Sequence, residues 1–278
     1  MDTAHRISVS ALRSLLGSPA GPLIVDVRHR TAFDADERML PGALRCDPGG
    51  LAALPSNLQS LLAAHSMTVV YCAHGNEVGR EAAALLRKQG YPARYLENGI
   101  EGWADAGAPT MLKRADLGIP FALPSKWVTR ERPKIDRIAC PWLIRRFIDP
   151  QAQFAYVPAP DVLAAARQLC AIPYDVPGVE FSHVGDACSF DAVLRRFGLA
   201  ESSLDALAAI VRGADTGKPD LTPQSAGLLA ISLGLSLNFS DDHEMLEHGM
   251  RVYDALYAWL RGARGEIHNA DLFSKPAP

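Results

Sequence analysis

Short apolar runs alternate with helical patterns in the first hundred residues. Apolar runs at 23–27, 67–72 and 93–96, with a weaker one at 43–46, have the length and composition of buried strands. Helical patterns fall at 51–64, 81–88 and 100–106. Strands joined by helices pair in parallel and are covered on both faces. The sequence therefore predicts an α/β fold, a parallel sheet with helices on both faces, with 67–72 as its central strand.

A cysteine closes that central run. Cys72 follows Val70-Tyr71 and precedes a loop that opens into an alanine-rich helical pattern. The predicted anion-binding loop consists of Ala73, His74, Gly75, Asn76, Glu77, Val78 and Gly79. Loop amides and the positive end of a helix favour a thiolate and hold an anion beside it. Because functional loops in such sheets gather at the carboxyl ends of the strands, Cys72 is the predicted catalytic residue.

Composition restricts the class of protein. The chain of 278 residues is long enough for two domains, each with its own core, and its formal charge of −3 gives no drive toward nucleic acid or anionic membranes. No apolar run approaches the roughly 20 residues that a membrane-spanning helix needs. The N-terminus lacks a secretory signal, and five widely spaced cysteines without a CxxC pair are typical of reduced thiols. We expect a cytoplasmic protein that binds neither membranes nor nucleic acid.

Four stretches of the N-terminal half resemble the rhodanese domain family. They are 25–28, 40–43, 70–72 with the loop that follows, and Glu97-Asn-Gly-Ile-Glu-Gly-Trp103. In that family the cysteine takes sulfane sulfur from a donor such as thiosulfate, carries it as a persulfide and passes it to a nucleophilic acceptor. The resemblance implies that Cys72 is the sulfur carrier, that loop amides stabilise its charge and that no cofactor is required. Asp26 resembles the family's structural aspartate, and Arg28 and Arg80 are the predicted supporting cations.

The cysteine loop departs from the family's pattern. Sulfurtransferases of this family commonly have the loop pattern Cys-x-x-Gly-x-Arg. When the helix is aligned at residues 81–84, the loop of this chain is predicted to be one residue longer than that pattern. The position of the family's arginine then falls on Val78. Glu77 adds a carboxylate that opposes anion binding unless it faces solvent. A longer loop resembles the phosphatase and arsenate-reductase relatives, whose wider cradle admits a tetrahedral oxyanion. Thiol-dependent reduction of an oxyanion such as chromate, and non-catalytic oxyanion or redox sensing, are therefore the alternatives to sulfur transfer.

The second half has a different pattern. Proline and glycine interrupt the chain after residue 107, and helical patterns dominate beyond, including an uncharged run at 226–233 that is apolar nearly all round and is predicted to be buried. Stretches at 133–149, 176–191, 210–217 and 253–259 resemble the C-terminal domain of ChrB-type chromate-resistance proteins. We predict a rhodanese-like domain over 1–112, a linker over 113–125, a mainly helical (α+β) ChrB-type domain over 126–265 and a flexible tail over 266–278. The expected partners are a small-molecule sulfur donor or oxyanion and a thiol acceptor.

The last helical pattern carries candidate metal ligands. Its buried stripe is predicted at Leu246, Met250, Tyr253 and Tyr257. His243 and Glu247, one turn apart, lie along the edge of that stripe, and with His183 they form a possible nitrogen and oxygen site for zinc, iron or manganese. Asp186, Asp215 and Asp254 complete the wider set of acidic candidates. The competing interpretation is that these histidines are ordinary packed residues.

A basic stretch opens the second half. Seven cations between residues 126 and 146 stand against Glu131 and Asp136, which leaves a local excess of positive charge. Such an excess attracts oxyanions. The alternative is a solvated charged face without a ligand.

Overall fold

The N-terminal half contains the predicted parallel sheet. The protein is represented by a computed structural model that describes residues 5–119 and 124–266. The strands of this half are β1 (Arg6–Ile7), β2 (Leu23–Asp26), β3 (Arg38–Met39), β4 (Leu44–Arg45), β5 (Thr68–Tyr71), β6 (Ala93–Leu96) and β7 (Met111–Leu112). Five of them form one sheet in the order β1-β6-β5-β2-β4, with every neighbouring pair parallel, whereas β3 and β7 form a separate antiparallel ribbon. The predicted α/β class is confirmed, and the run at 67–72 supplies the central strand.

Side chains of β5 are buried on both faces of the sheet. The helices of this half are α1 (Val9–Leu15), α2 (Arg30–Ala35), α3 (Ser56–Ala64), α4 (Glu77–Lys88) and α5 (Gly99–Asp105). Val70 and Cys72 join a cluster with residues of α3 and α4, whereas Val69 and Tyr71 join the opposite cluster with residues of α5. Because successive side chains of a strand point to opposite faces, burial on both faces requires an uninterrupted apolar run.

Two helix boundaries differ from the prediction. The predicted helix over 51–64 is wrong as a single element: a 3-10 helix at Pro48–Ala52 precedes α3, and Pro55 stands at the N-cap of α3. Proline cannot donate the backbone hydrogen bond that a continuous helix would need there. In addition, α4 begins at Glu77 rather than at 81. This earlier start places the last three residues of the predicted anion-binding loop in the first turn of the helix.

The second half is mainly helical, as predicted. A parallel sheet of three strands has the order β10-β8-β9, with β8 at Lys126–Arg130, β9 at Gln153–Val157 and β10 at Ile172–Pro173. The helices are α6 (Asp136–Phe147), α7 (Val162–Leu169), α8 (Ser189–Arg196), α9 (Ser202–Asp215), α10 (Ser225–Asn238) and α11 (Asp242–Ala258), which continues into a π-helical turn at Trp259–Ala263. Across 5–119 and 124–266, the helices lack the combination of length and apolar character that crossing a membrane demands.

The prediction that the apolar helix α10 is buried is wrong for most of its surface. Ser232 and Ser236 are buried, whereas Leu237 on the same helix is 88% exposed. Serine fills the buried face because polar groups need its hydroxyl there: Ser232 Oγ accepts a hydrogen bond from the Ile135 amide, and Ser236 accepts from the Arg132 guanidinium. The hydrophobicity of a helix does not identify its buried face when its neighbours present backbone amides and a guanidinium.

Part of the predicted linker is ordered in the structure. Residues 113–119 of the predicted linker are held in place, since the Lys113 amide donates to Glu37 O and a 3-10 helix forms at Ala115–Leu117. Residues 120–123 of that linker lie outside the described residues, and so does the predicted tail beyond Glu266. All four side chains of the predicted stripe on α11 are buried.

The two halves share one hydrophobic core. Buried side chains from the α5 face of the sheet, including Trp103, belong to the same cluster as Trp142 and Phe147 of the second half. Hydrogen bonds cross between the halves as well: the Gly42 amide donates to Phe147 O at 2.6 Å, and Arg261 donates to Leu16 O at 2.9 Å. Burial of apolar surface between the halves therefore contributes to the stability of both.

Gly17→Ala tests this packing between the halves. Gly17 has φ +70°, and a Cβ there would lie 2.3 Å from Phe147 Cζ and 2.8 Å from Tyr257 Cε1. We expect a loss of roughly 2–4 kcal/mol in the free energy of unfolding, from a left-handed backbone and an overpacked contact. Urea unfolding followed by circular dichroism measures it. The matched control is Gly107→Ala, at φ +63° with no heavy atom within 4 Å of its Cβ, for which we expect about 1 kcal/mol. Equal losses for the two variants would contradict the packing of Phe147 on Gly17.

Candidate functional site

Cys72 lies at the carboxyl end of the central strand. It follows β5 directly, and residues 73–76 lead from it to the start of α4. Its side chain is 5% exposed and belongs to a cluster whose members all come from the N-terminal half. The shared core with the second half lies on the opposite face of the sheet. The thiol is therefore enclosed beneath α3 and α4, on the face that does not pack against the second half.

The thiol faces the first turn of α4. A Cβ added at Gly79 would lie 3.3 Å from Cys72 Sγ, so the sulfur rests against the backbone of that turn. The first amides of a helix have no partner within the helix, and its N-terminus carries partial positive charge. Both effects favour a thiolate, or an anion bound to it, at this position. Gly79 leaves the space that brings the sulfur close to this backbone.

The cysteine loop and the stretch 97–103 form one structural unit. The Ile100 amide donates to Cys72 O at 3.0 Å, and the Glu101 amide donates to Ala73 O at 3.1 Å. A Cβ at Gly99 would lie 2.3 Å from Cys72 O, and a Cβ at Gly75 would lie 2.5 Å from the Asn98 amide nitrogen. Both glycines have positive φ. Two motifs that are separate in the sequence thus fix the same loop, and each contributes a glycine that no other residue replaces without a clash.

The polar side chains of the loop point outward. His74, Asn76 and Glu77 are exposed, and Val78 packs against the same cluster as Cys72. The Arg80 guanidinium lies over the ring of Tyr95, 5.7 Å from its centroid. Positive charge close to the sulfur is therefore supplied by the backbone amides of the loop and of the first turn of α4, not by the Arg80 side chain.

The register of the loop is different from the prediction. Because α4 begins at Glu77, the loop has no additional residue, and the prediction of a longer loop is wrong. Counted from Cys72, the glycine of the pattern Cys-x-x-Gly-x-Arg corresponds to Gly75. The arginine of the pattern corresponds to Glu77, and not to Val78 as predicted. Gly75 has the positive φ that a glycine in this position provides. The departure from the family's pattern is thus a change of charge at one position, from arginine to glutamate.

Asp26 and Arg28 form a buried ion pair beneath the loop. Arg28 Nη2 lies 2.7 Å from Asp26 Oδ2, and the Tyr71 hydroxyl donates to the same oxygen at 2.7 Å. The guanidinium also donates to Arg38 O at 2.9 Å and to Asp36 Oδ2 at 3.2 Å. The side chains of Asp26 and Arg28 are 0% and 1% exposed. With its donors engaged in this way, Arg28 stabilises the strand ends and does not face an anion at the thiol.

The structure separates the predicted metal ligands. His243 is exposed and packs against the Tyr156 ring at 5.4 Å, while Glu247 pairs with Arg145 at 2.7 Å. Among the remaining candidates, Asp254 pairs with Arg146 and Asp186 pairs with Lys218. His183 instead lies beside Asp136, Asp175 and Asp215. Of the predicted set, only His183 and Asp215 come together, and Asp136 and Asp175 are partners that the sequence prediction did not include.

These four residues form what we call the His183 cluster: Asp136, Asp175, His183 and Asp215. They come from the start of α6, the loop between β10 and α8, and the end of α9. Imidazole Nε2 of His183 lies 3.2 Å from Asp136 Oδ2, 3.3 Å from Asp175 Oδ1 and 3.2 Å from Asp215 Oδ2. Hydrogen bonding to Asp136 raises the pKa of His183 to about 9, and burial raises the pKa of Asp215 to about 7, with repulsion from Asp136 adding to it. Three carboxyl groups thus converge on one imidazole nitrogen.

The arginines of the basic stretch have acidic or carbonyl partners. Arg130 and Arg137 pair with Asp175, and Arg132 donates to Phe239 O. Arg145 and Arg146 pair with Glu247 and Asp254 on α11. Most of the local excess of positive charge is therefore neutralised within the second half.

Comparison with known proteins gives matches to both halves. A sequence model described as a rhodanese-like domain matches residues 8–106, and one described as the C-terminal domain of ChrB matches residues 127–260. Protein ChrB of Cupriavidus metallidurans is 34% identical over 140 residues, which cover 50% of this chain and 42% of that protein. The chain therefore matches less than half the length of this relative.

Solved structures resemble part of this chain. A protein of unknown function from Rhodopseudomonas palustris is 25% identical over 38% of this chain and 83% of its own, with a TM-score of 0.34. A rhodanese-related protein from Thermoplasma volcanium is 22% identical over 39% of this chain and 99% of its own, also with a TM-score of 0.34.

Proposed function

We propose that this chain, which joins a rhodanese-like domain to a ChrB C-terminal domain, transfers sulfane sulfur through a persulfide on Cys72. The observation that carries the proposal is the position of the thiol against the first turn of α4, where a Cβ on Gly79 would lie 3.3 Å from Sγ. A persulfide, like a thiolate, is an anion, and helix amides stabilise it without a cofactor. We further propose that the reaction takes place in the cytoplasm, where a thiol remains reduced.

The proposed reaction has two displacement steps. The Cys72 thiolate attacks the outer sulfur of thiosulfate, a sulfur–sulfur bond forms at Sγ, and sulfite leaves with the electron pair of the bond that breaks. A nucleophile such as a thiolate then attacks the terminal sulfur of the persulfide, takes it and releases the Cys72 thiolate. Each step is a nucleophilic displacement at sulfur, the chemistry in which thiolates are most effective. Neither step requires an external oxidant or reductant.

The ChrB C-terminal domain supports a role in chromate or other oxyanion stress. The thiol acceptor and the sulfur donor would then belong to the response to such stress. The alternative of thiol-dependent chromate reduction loses the longer loop, because α4 starts at Glu77, and keeps its other ground, the ChrB C-terminal domain. Oxyanion or redox sensing without turnover keeps one supporting observation, since Glu77 occupies the position of the family's arginine and opposes the binding of an anionic donor.

The test is mass spectrometry of the full-length protein after incubation with thiosulfate. We expect the peptide that contains Cys72 to gain the mass of one sulfur atom and to lose it again when a thiol acceptor is added. The exposed Cys170 is an internal control, because non-specific persulfide formation would occur at the more accessible thiol. Modification of Cys170 without modification of Cys72 would contradict the proposal.

A further inference from the structure

The His183 cluster has a geometry that hydrogen bonding explains only in part. Nε2 of His183 carries at most a single hydrogen, which points in one direction, yet three carboxylate oxygens lie 3.2–3.3 Å from it. Two of the three oxygens therefore cannot receive a well-aligned hydrogen bond from this nitrogen. Ligand atoms bound to one metal ion at about 2.1 Å lie roughly 3–3.5 Å apart, which is the separation between the imidazole nitrogen and these oxygens.

The carboxyl groups of the cluster are buried, and the arginines beside them pair only with Asp175. The side chains of Asp136 and Asp215 are 2% and 12% exposed. Both nearby arginines, Arg130 and Arg137, pair with Asp175. Within residues 5–119 and 124–266, no lysine or arginine forms an ion pair with Asp136 or Asp215. A buried carboxylate is costly unless a cation or a proton compensates it, so Asp136 and Asp215 depend on His183 or on a bound cation for compensation.

Neighbouring groups hold the carboxyl groups in position. The Ser189 amide donates to Asp136 Oδ2 at 3.3 Å, and the Ser189 hydroxyl donates to Asp175 Oδ1 at 3.0 Å. Arg130 fixes the second oxygen of Asp175 at 2.6 Å. Metal sites commonly orient their ligands through such outer contacts. His183 itself is 39% exposed, which leaves a route from solvent to the site.

We propose that Asp136, Asp175 and His183 bind a divalent transition-metal ion. Their oxygen and nitrogen donors lie within 4.8 Å of one another, and Asp215 lies beside the same imidazole nitrogen as an outer carboxylate. Two carboxylates and one imidazole suit manganese, iron or zinc, because carboxylate oxygen favours manganese and imidazole favours iron and zinc. A bound ion would replace the proton of His183 as the positive charge that faces Asp136 and Asp215. The inference is independent of sulfur transfer by Cys72.

The experiment measures metal in the full-length protein. Chelator-treated protein is loaded separately with Mn²⁺ and Zn²⁺, passed through a desalting column and examined by elemental analysis. We expect stoichiometric retention of at least one of these ions, and its loss in His183→Ala and in Asp136→Asn. The matched controls, His243→Ala and Glu247→Gln, remove an exposed imidazole and an exposed carboxylate outside the cluster and should retain the metal. Failure of the wild-type protein to retain either ion, or equal retention by His183→Ala, would overturn the proposal.

A second measurement guards against variants that do not fold. X-ray absorption of the loaded wild-type protein should show nitrogen and oxygen donors only. Sulfur in the coordination sphere would assign the ion to the cysteines and would overturn the proposal. The rival explanation is that protonated His183 supplies the charge by itself. In that case the wild-type protein retains no metal, and its thermal unfolding temperature is unchanged by Mn²⁺ or Zn²⁺, whereas a metal site predicts an increase.

Discussion

Cys72→Ser is expected to abolish thiosulfate sulfurtransferase activity, with a loss of roughly 10³-fold or more, the scale on which removal of a catalytic nucleophile acts. A serine hydroxyl occupies nearly the same volume but remains protonated at neutral pH and is a much weaker nucleophile than a thiolate. The α4 amides that stabilise a thiolate would then have no anion to stabilise. Formation of sulfite from thiosulfate in the presence of a nucleophilic acceptor measures the activity.

The hydroxyl of this variant enters an apolar cluster, so stability must be controlled. Burying a hydroxyl without a partner costs about 1–3 kcal/mol. Cys46→Ser is the matched control, because Cys46 lies in the same cluster and is buried as well. Its sulfur donates to Asp47 O, so Cys46→Ser should lose no more stability than Cys72→Ser, and it should keep its sulfurtransferase activity. Equal activity in the wild-type protein and Cys72→Ser would rule out a persulfide on Cys72.

The same assay separates the proposed enzyme from a sensor. A sensing protein would bind chromate or sulfate tightly without producing sulfite, and Glu77→Arg would strengthen that binding by restoring the family's cation beside the loop. A sulfurtransferase whose donor binding is limited by Glu77 would instead show a lower KM for thiosulfate in Glu77→Arg. The two outcomes differ in turnover, so a single variant distinguishes them.

Arg28→Met is expected to lower the free energy of unfolding by about 3–5 kcal/mol, because it leaves the buried Asp26 carboxylate without its cation. Methionine approximates the length of the arginine stem but supplies none of the donors that reach Asp26, Asp36 and Arg38 O. The Tyr71 hydroxyl alone would then satisfy part of the Asp26 carboxylate. Urea unfolding, followed by circular dichroism, measures the change.

Arg38→Met is the matched control for this ion pair. Arg38 pairs with Asp36, but its side chain is 41% exposed. An exposed ion pair contributes about 0–1 kcal/mol, so the control should cost much less. Activity per folded molecule should be preserved in Arg28→Met, because the guanidinium does not face the thiol. A similar stability loss in both variants, or an activity loss in folded Arg28→Met, would contradict the structural role that we assign to Arg28.

The N-terminal sheet could be predicted from sequence because its signals are local. A strand buried on both faces is a continuous apolar run, and Cys72 ends such a run at the edge where loops collect. The start of α4 could not be predicted in the same way. Gly75 and Gly79 lower the helix propensity of the sequence before residue 81. Their places are set by tertiary contacts, of Gly75 with Asn98 and of Gly79 with Cys72 Sγ, which the local sequence does not reveal.

The His183 cluster required tertiary information. His243 and Glu247 share a helix face, but the sequence does not reveal that Tyr156 and Arg145 occupy the space around them. In the sequence, Asp136 stands out only as a carboxylate that partly balances the basic stretch. One signal was available: Asp136, His183 and Asp215 lie in three of the four stretches that carry the resemblance to ChrB, and Asp175 immediately precedes one of them. Spacing along the chain gives no reason to combine them.

The core common to both halves limits which substitutions the chain can accept. Trp103 on one side and Phe147 on the other contribute to one continuous cluster, so a substitution at either position must be accommodated by side chains of the other half. The rhodanese-like half therefore cannot be exchanged for a related domain without changes in the other half. Replacing it with a related domain would require the sheet face around Val69 and Tyr71 to match the surface of the ChrB-type half, and the two sequences are expected to drift together.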